Sequence, residues 1–115
     1  MAQYKVLVLS DCQQGHEAEY SHYYDTRHIP DIMREMPEVQ SAQRFQVEPI
    51  FGKEGVPAWR FSCLYSIETD DFQQYLDRMG KAYASGGIPP ADCAIPDTAV
   101  AYKLIPLGDP IARED

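Results

Sequence analysis

Short strand-like apolar stretches alternate along the chain with two longer stretches of helical spacing. Residues 3–10 (Gln-Tyr-Lys-Val-Leu-Val-Leu-Ser) are rich in β-branched and aliphatic side chains, which predicts a first strand buried on both faces. A polar loop runs from Asp11 to Gly15. From about Glu17 the pattern becomes helical, with Tyr20, Tyr24 and His28 spaced by four. Pro30 interrupts it, because a proline inside a helix removes one hydrogen bond and its ring meets the carbonyl of Thr26. Ile29, just before it, is biased away from the α conformation. The helix is therefore predicted to end or kink near residues 26–29. Pro30 would then open a second short helix, to Met36, which Pro37 closes.

The second half repeats the alternation. Residues 39–48 read as a second strand and residues 52–57 as a turn. The clearest strand covers residues 58–67. Trp59, Phe61, Cys63, Tyr65 and Ile67 point one way, and Arg60, Ser62, Leu64 and Ser66 the other. Thr69 or Asp70 is placed to cap a helix that runs to about Ser85, with Phe72, Leu76, Met79 and Tyr83 on its apolar stripe. Gly86-Gly87 ends it, and a last strand is expected near Thr98–Ile105. The resulting order, βαββαβ, predicts an α+β, ferredoxin-like protomer: a four-stranded antiparallel sheet with both helices on one face. Both rows of the first strand are apolar, Tyr4, Val6 and Val8 against Leu7 and Leu9, so both sheet faces need cover. A second copy of the chain is the simplest cover, which predicts a homodimer.

Length and composition narrow the class. A chain of 115 residues has room for one domain, expected over 1–108 with a polar tail at 109–115. A formal charge of −8 makes nucleic acid and anionic membranes poor partners. No apolar run approaches the roughly 18 residues of a membrane span. The opening segment is too short and too strand-like for a signal peptide. Three cysteines without CxxC spacing predict a reduced, cytoplasmic protein with neither a disulfide framework nor a zinc site. Nucleotide-binding, serine-hydrolase and zinc-protease motifs are absent from the sequence, and no cofactor is expected.

Polar and aromatic groups are densest in His22-Tyr23-Tyr24-Asp25-Thr26-Arg27-His28-Ile29-Pro30-Asp31. His28 titrates near neutrality and is suited to shuttle a proton. Asp25, three residues earlier, could orient its imidazole, and Tyr20 and Tyr24 would share its face on an unbroken helix. The structural alternative is that His28 caps the broken helix while Tyr20 and Tyr24 pack as core. A metal site from His22, Asp25 and His28 is disfavoured, because histidines six apart do not align on a helix. Arg44 and Arg60 stand in otherwise uncharged rows, where each is either an edge or surface charge or a group that could bind a carboxylate or phenolate inside a cavity. Trp59, Tyr65 and Tyr102 could line an aromatic pocket, or simply pack.

The segment Tyr23-Tyr24-Asp25-Thr26-Arg27-His28-Ile29-Pro30-Asp31, then Met36-Pro37-Glu38-Val39 and Ser41-Ala42-Gln43-Arg44-Phe45, resembles the EthD-like family of the dimeric α+β barrel superfamily. Glu38 stands where that family usually has glycine. The resemblance implies that two ferredoxin-like protomers pair their sheets into a dimeric α+β barrel, with a ligand cleft in each protomer between sheet and helices. It implies small aromatic or lactone-like substrates and a proton-transferring side chain, here His28 first, then Tyr24 and Asp25. Arg44 matches a family strand position.

Two functions are therefore expected to compete. One is a small cofactor-independent enzyme (isomerase, cyclase, lyase or monooxygenase) acting on an aromatic or lactone-like metabolite by proton transfer. His28, Tyr24 and Asp25 would be its catalytic groups, with Tyr20, Arg44, Arg60, Trp59 and Tyr65 binding substrate. The other is a non-catalytic small-molecule-binding or accessory protein using the same cleft.

Overall fold

In a computed structural model, which describes residues 1–52, 59–95 and 98–114, four strands form one antiparallel sheet. They are β1 (Gln3–Ser10), β2 (Val39–Gln46), β3 (Phe61–Glu68) and β4 (Val100–Leu104), in the spatial order β2-β3-β1-β4. Helices α1 (Glu17–Tyr23), α2 (Ile29–Glu35) and α3 (Phe72–Ala84) cover one face. This is the ferredoxin-like α+β arrangement expected from the element order. The turn expected over residues 52–57 lies, apart from Gly52, outside the described residues, as does Ala58 at the expected start of the third strand.

Register decides which residues face the helices. Val6 pairs with Tyr65, Val8 with Cys63 and Tyr4 with Ile67. Directly paired residues share a face, and these side chains join the helices in the core. The opposite face carries Leu7 against Leu64 and Tyr102, Leu9 against Ser62 and Val100, and Lys5 against Leu104. On that face Ser62 is buried and Leu7, Leu9, Leu64 and Val100 are half-buried, while Tyr102 and Leu104 are exposed, and no described helix packs there. On the helix side of the first strand Val6 and Ser10 are buried and Tyr4 and Val8 half-buried, whereas on the other side Leu7 and Leu9 are half-buried and Lys5 is exposed, which corrects the reading of two buried faces.

Pro30 does not end the first helix, as the sequence suggested. The chain stays in the right-handed helical region through Tyr23, Tyr24, His28 and Ile29. It widens instead into a π-helical turn, Tyr24–His28, in which the Ile29 N–H donates to the Tyr24 carbonyl five residues back. The extra residue in the turn accommodates the proline without the clash at the Thr26 carbonyl that a regular helix would impose. Thr26 turns its hydroxyl back to the His22 carbonyl (2.6 Å). Pro37 closes α2 as expected, with Met36 held extended before it.

Two further readings change in α3. Its cap is Asp71, whose carboxylate accepts from the Gln74 N–H, while Thr69 accepts from the Asp71 N–H. Its buried residues are Tyr75 and Ala82, with Phe72 and Met79 packed beside them, whereas Leu76 and Tyr83 are nearly half exposed. The inner stripe is therefore 72, 75, 79 and 82, not 72, 76, 79 and 83. Between α3 and β4 the chain packs Ile88 and Cys93 into the core and bridges Ala94 to Cys12.

Candidate functional site

The π-turn sets Tyr24 and His28 on the inner side of the helix, and both are buried. They line a cavity of about 260 Å³ between helices and sheet. β1 contributes Val6 and Val8 to its wall and β3 contributes Tyr65. Ile32 of α2, Tyr75, Met79 and Tyr83 of α3, and Ala99–Ala101 complete it. The Tyr24 and His28 rings meet edge to face at 4.7 Å. Among the described lining residues none is an acid, a lysine or an arginine.

An apolar wall shapes the titration of these groups. Burial pushes the His28 imidazolium down to about 4, against the pull of Asp31 and with the help of the Arg44 charge. His28 is therefore neutral at pH 7. Burial likewise raises the phenols of Tyr24, Tyr65, Tyr75 and Tyr83, so they remain protonated donors. The cavity thus offers one neutral imidazole and several phenol hydroxyls in a setting of low polarity.

Asp25 does not orient His28, as its spacing had suggested. It is exposed, and the imidazole Nδ1 instead meets the Tyr23 hydroxyl at 3.1 Å. Tyr20 is buried beside the site, donating to Ser10 Oγ (3.0 Å), and does not line the cavity. Arg44 lies behind Tyr24, with its guanidinium carbon 4.5 Å from the ring centre and Nη1 donating to Ser21 (2.9 Å). Arg60, expected to bind an acidic ligand, is already occupied. It donates to Asp11 (2.7 Å), Glu17 (2.6 Å) and the Cys12 carbonyl (2.7 Å), and so fastens the loop after β1. Trp59 precedes β3 and donates to the Thr98 carbonyl (2.6 Å). Of the expected site residues, only His28, Tyr24 and Tyr65 come together in the cavity wall; Tyr102 sits half exposed on the bare sheet face.

Sequence reasoning missed Tyr23, Tyr75, Met79 and Tyr83. Tyr23 is five residues from His28, a spacing that an α-helix does not align and a π-turn does. Tyr75 was hidden by the choice of stripe, whereas Met79 and Tyr83 lay on the expected stripe and were read as core rather than as site residues. Among the described residues, no group of three His, Cys, Asp or Glu side chains could hold a metal ion. The three cysteines are free and buried. No helix among the described residues is long and apolar enough to cross a membrane.

No protein-family model matches the chain, and no curated protein matches it in sequence. Solved structures do match in shape. An EthD-like protein from Ralstonia eutropha JMP134 superposes with a TM-score of 0.60 at 18% identity, covering 96% of both chains. A proposed monooxygenase from Shewanella loihica PV-4 gives 0.52 at 19% identity, covering 91% of this chain and 96% of that one. A dimeric ferredoxin-like protein of unknown function from Bacteroides fragilis NCTC 9343 gives 0.50 at 10% identity, covering 91% and 97%. Sheet order, helix placement and these superpositions together establish that this chain has the ferredoxin-like α+β fold of the EthD-like proteins.

Proposed function

We propose that this protein is a small enzyme acting on an uncharged aromatic or lactone-like metabolite by proton transfer, with His28 as the base and no bound cofactor. The observation that carries the reading is the meeting of His28, Tyr24 and Tyr65 in one apolar cavity of about 260 Å³. A neutral imidazole can take a proton from a hydroxyl or from a carbon beside a carbonyl. Protonated phenols can donate to the oxygen on which negative charge then develops, and low polarity strengthens that donation. The wall without fixed charge favours a neutral ring over a carboxylate. The monooxygenase assignment of the Shewanella loihica protein keeps oxygenation of a phenol within this reading.

The homodimer belongs to the same proposal. The bare sheet face carries Leu7, Leu9, Leu64, Val100, Tyr102 and Leu104, and a second copy would cover it. The Bacteroides fragilis protein, described as dimeric, is of the same fold. Free buried cysteines suit a reducing compartment such as the cytoplasm.

One observation favours the non-catalytic alternative. An imidazole whose proton leaves near pH 4 is a weak base at neutral pH, where a catalytic group works best with a value near 7. A thermal-shift screen of phenols and aromatic lactones, followed by product analysis for each stabilising compound, separates the two. The enzyme reading expects turnover that falls about 10²–10⁴-fold in His28→Ala. Tight binding without turnover in the wild-type protein makes it a binder.

A further inference from the structure

Tyr23 does not line the His28 cavity; with Pro89 it borders a separate surface groove. Its hydroxyl has two close neighbours, the Pro89 carbonyl oxygen at 2.5 Å and His28 Nδ1 at 3.1 Å. A phenol has one proton to give, and a carbonyl can only accept. The Tyr23 proton therefore lies toward Pro89. Turned toward His28, it would leave two oxygens facing each other at 2.5 Å with no hydrogen between them. The contact to His28 is then a hydrogen bond only if Nδ1 carries the hydrogen and donates. Neutral imidazole has a single N–H, so Nε2 keeps its lone pair.

His28 lines the cavity, and among the described residues Nδ1 is its ring nitrogen with a hydrogen-bond partner. With Nδ1 engaged by Tyr23, which borders a different groove, Nε2 on the other side of the ring is the nitrogen left for the cavity that His28 lines.

From this geometry we infer that Tyr23 is a positioning residue: anchored on Pro89, it holds neutral His28 as the Nδ1–H tautomer and presents the Nε2 lone pair to the cavity. The group that a ligand sets against His28 is then a donor, a hydroxyl or an acidic C–H. A carbonyl or carboxylate oxygen there would face a lone pair. The anchor comes from the connection between α3 and β4, so the tautomer depends on how that segment packs against the helix. The inference deepens the reading of His28 as a base and rests on it for its chemical meaning. The tautomer itself stands on the hydrogen bonds alone.

Two-bond ¹H–¹⁵N correlation spectra of ¹⁵N-histidine-labelled protein at pH 7 test it directly. The chain has three histidines, and loss of one set of signals in His28→Gln assigns His28. The expected wild-type pattern has Nδ1 protonated and Nε2 bare, the reverse of free histidine. In Tyr23→Phe, which keeps the ring but removes the acceptor, the pattern moves toward the Nε2–H form. An Nε2–H pattern in the wild-type protein overturns the inference, and so does an unchanged pattern in Tyr23→Phe. Should Tyr23→Phe not fold, the wild-type spectrum alone decides. A protein that binds ligands without turning them over would still give the same spectrum, so failure of the base assignment and failure of the tautomer are read separately.

Discussion

The guanidinium carbon of Arg44 lies 4.5 Å from the ring centre of Tyr24, and the same ring meets His28 edge to face at 4.7 Å. A strand cation and the imidazole thus both contact one helix phenol, and the cation's charge also opposes protonation of His28. Its Nη2 is buried with no hydrogen-bond acceptor among the described residues, and the guanidinium carbon lies within 5.7 Å of the ring centres of Tyr24, Tyr20 and Phe61.

Replacing that cation should change stability and titration together. Arg44→Met keeps the length of the side chain but loses the contact to the rings and the bond to Ser21, at an expected cost of about 1–2 kcal/mol. Removing a positive charge near His28 also makes its protonation easier, so its pKa should rise from about 4. Denaturant unfolding and an NMR titration of His28 check the two effects. A stable variant with an unmoved titration would mean that Arg44 is neither a support nor an electrostatic neighbour.

His28 also makes stability depend on pH. Its folded pKa, about 4, lies below its ordinary 6.5. Between these values the unfolded chain binds the proton and the native protein does not, so unfolding gains from acid. This group's contribution is therefore intact above about 6.5 and is lost progressively as pH falls toward 4. The full loss is on the order of 3 kcal/mol. His28→Gln should flatten that part of the stability–pH curve, measured by chemical unfolding at a series of pH values.

The bare sheet face gives a prediction about assembly. Leu64 sits opposite Leu7 in register on that face, away from the helices. Leu64→Asp should leave the protomer folded but place a carboxylate in the proposed sheet-to-sheet interface. Sedimentation velocity should show a dimer for the wild-type protein and a monomer for the variant, with unchanged far-UV circular dichroism. A wild-type monomer at micromolar concentration would remove the dimer from the proposal.

Asp71 offers a local test of the helix that carries Tyr75 and Met79. Its carboxylate accepts from the Gln74 N–H at 3.1 Å. Asp71→Ala should cost about 1 kcal/mol, as loss of an N-cap usually does, while Asp70→Ala should be close to neutral. Thermal melts of the two variants side by side separate them.

Much of the fold was legible along the chain because it depends on local rules. A short apolar run marked β1, alternation marked β3, helical spacing marked α1 and α3, and the prolines marked where α2 begins and ends. The order of those elements then left few topologies open. His28 and Tyr24 could be paired from sequence because both their spacing and their chemistry are local. What the sequence left open depends on contacts between distant residues. Pro30 was compatible with a broken helix or a widened one, and packing of Tyr24 and His28 against the sheet selected the π-turn. That turn exchanged Asp25 for Tyr23 as the partner of His28, with Pro89, far along the chain, completing the bond. Along α3, two stripes only a fraction of a turn apart were both apolar enough to be buried. The position of the helix over β1 and β4 chose Tyr75 and Ala82. Arg60 looked free in its row because Asp11 and Glu17, which hold it, lie 49 and 43 residues earlier in the chain. Spacing along one element decides which side chains share a face, whereas a site takes its hydrogen-bond partners from several elements, and only their packing brings those partners within reach.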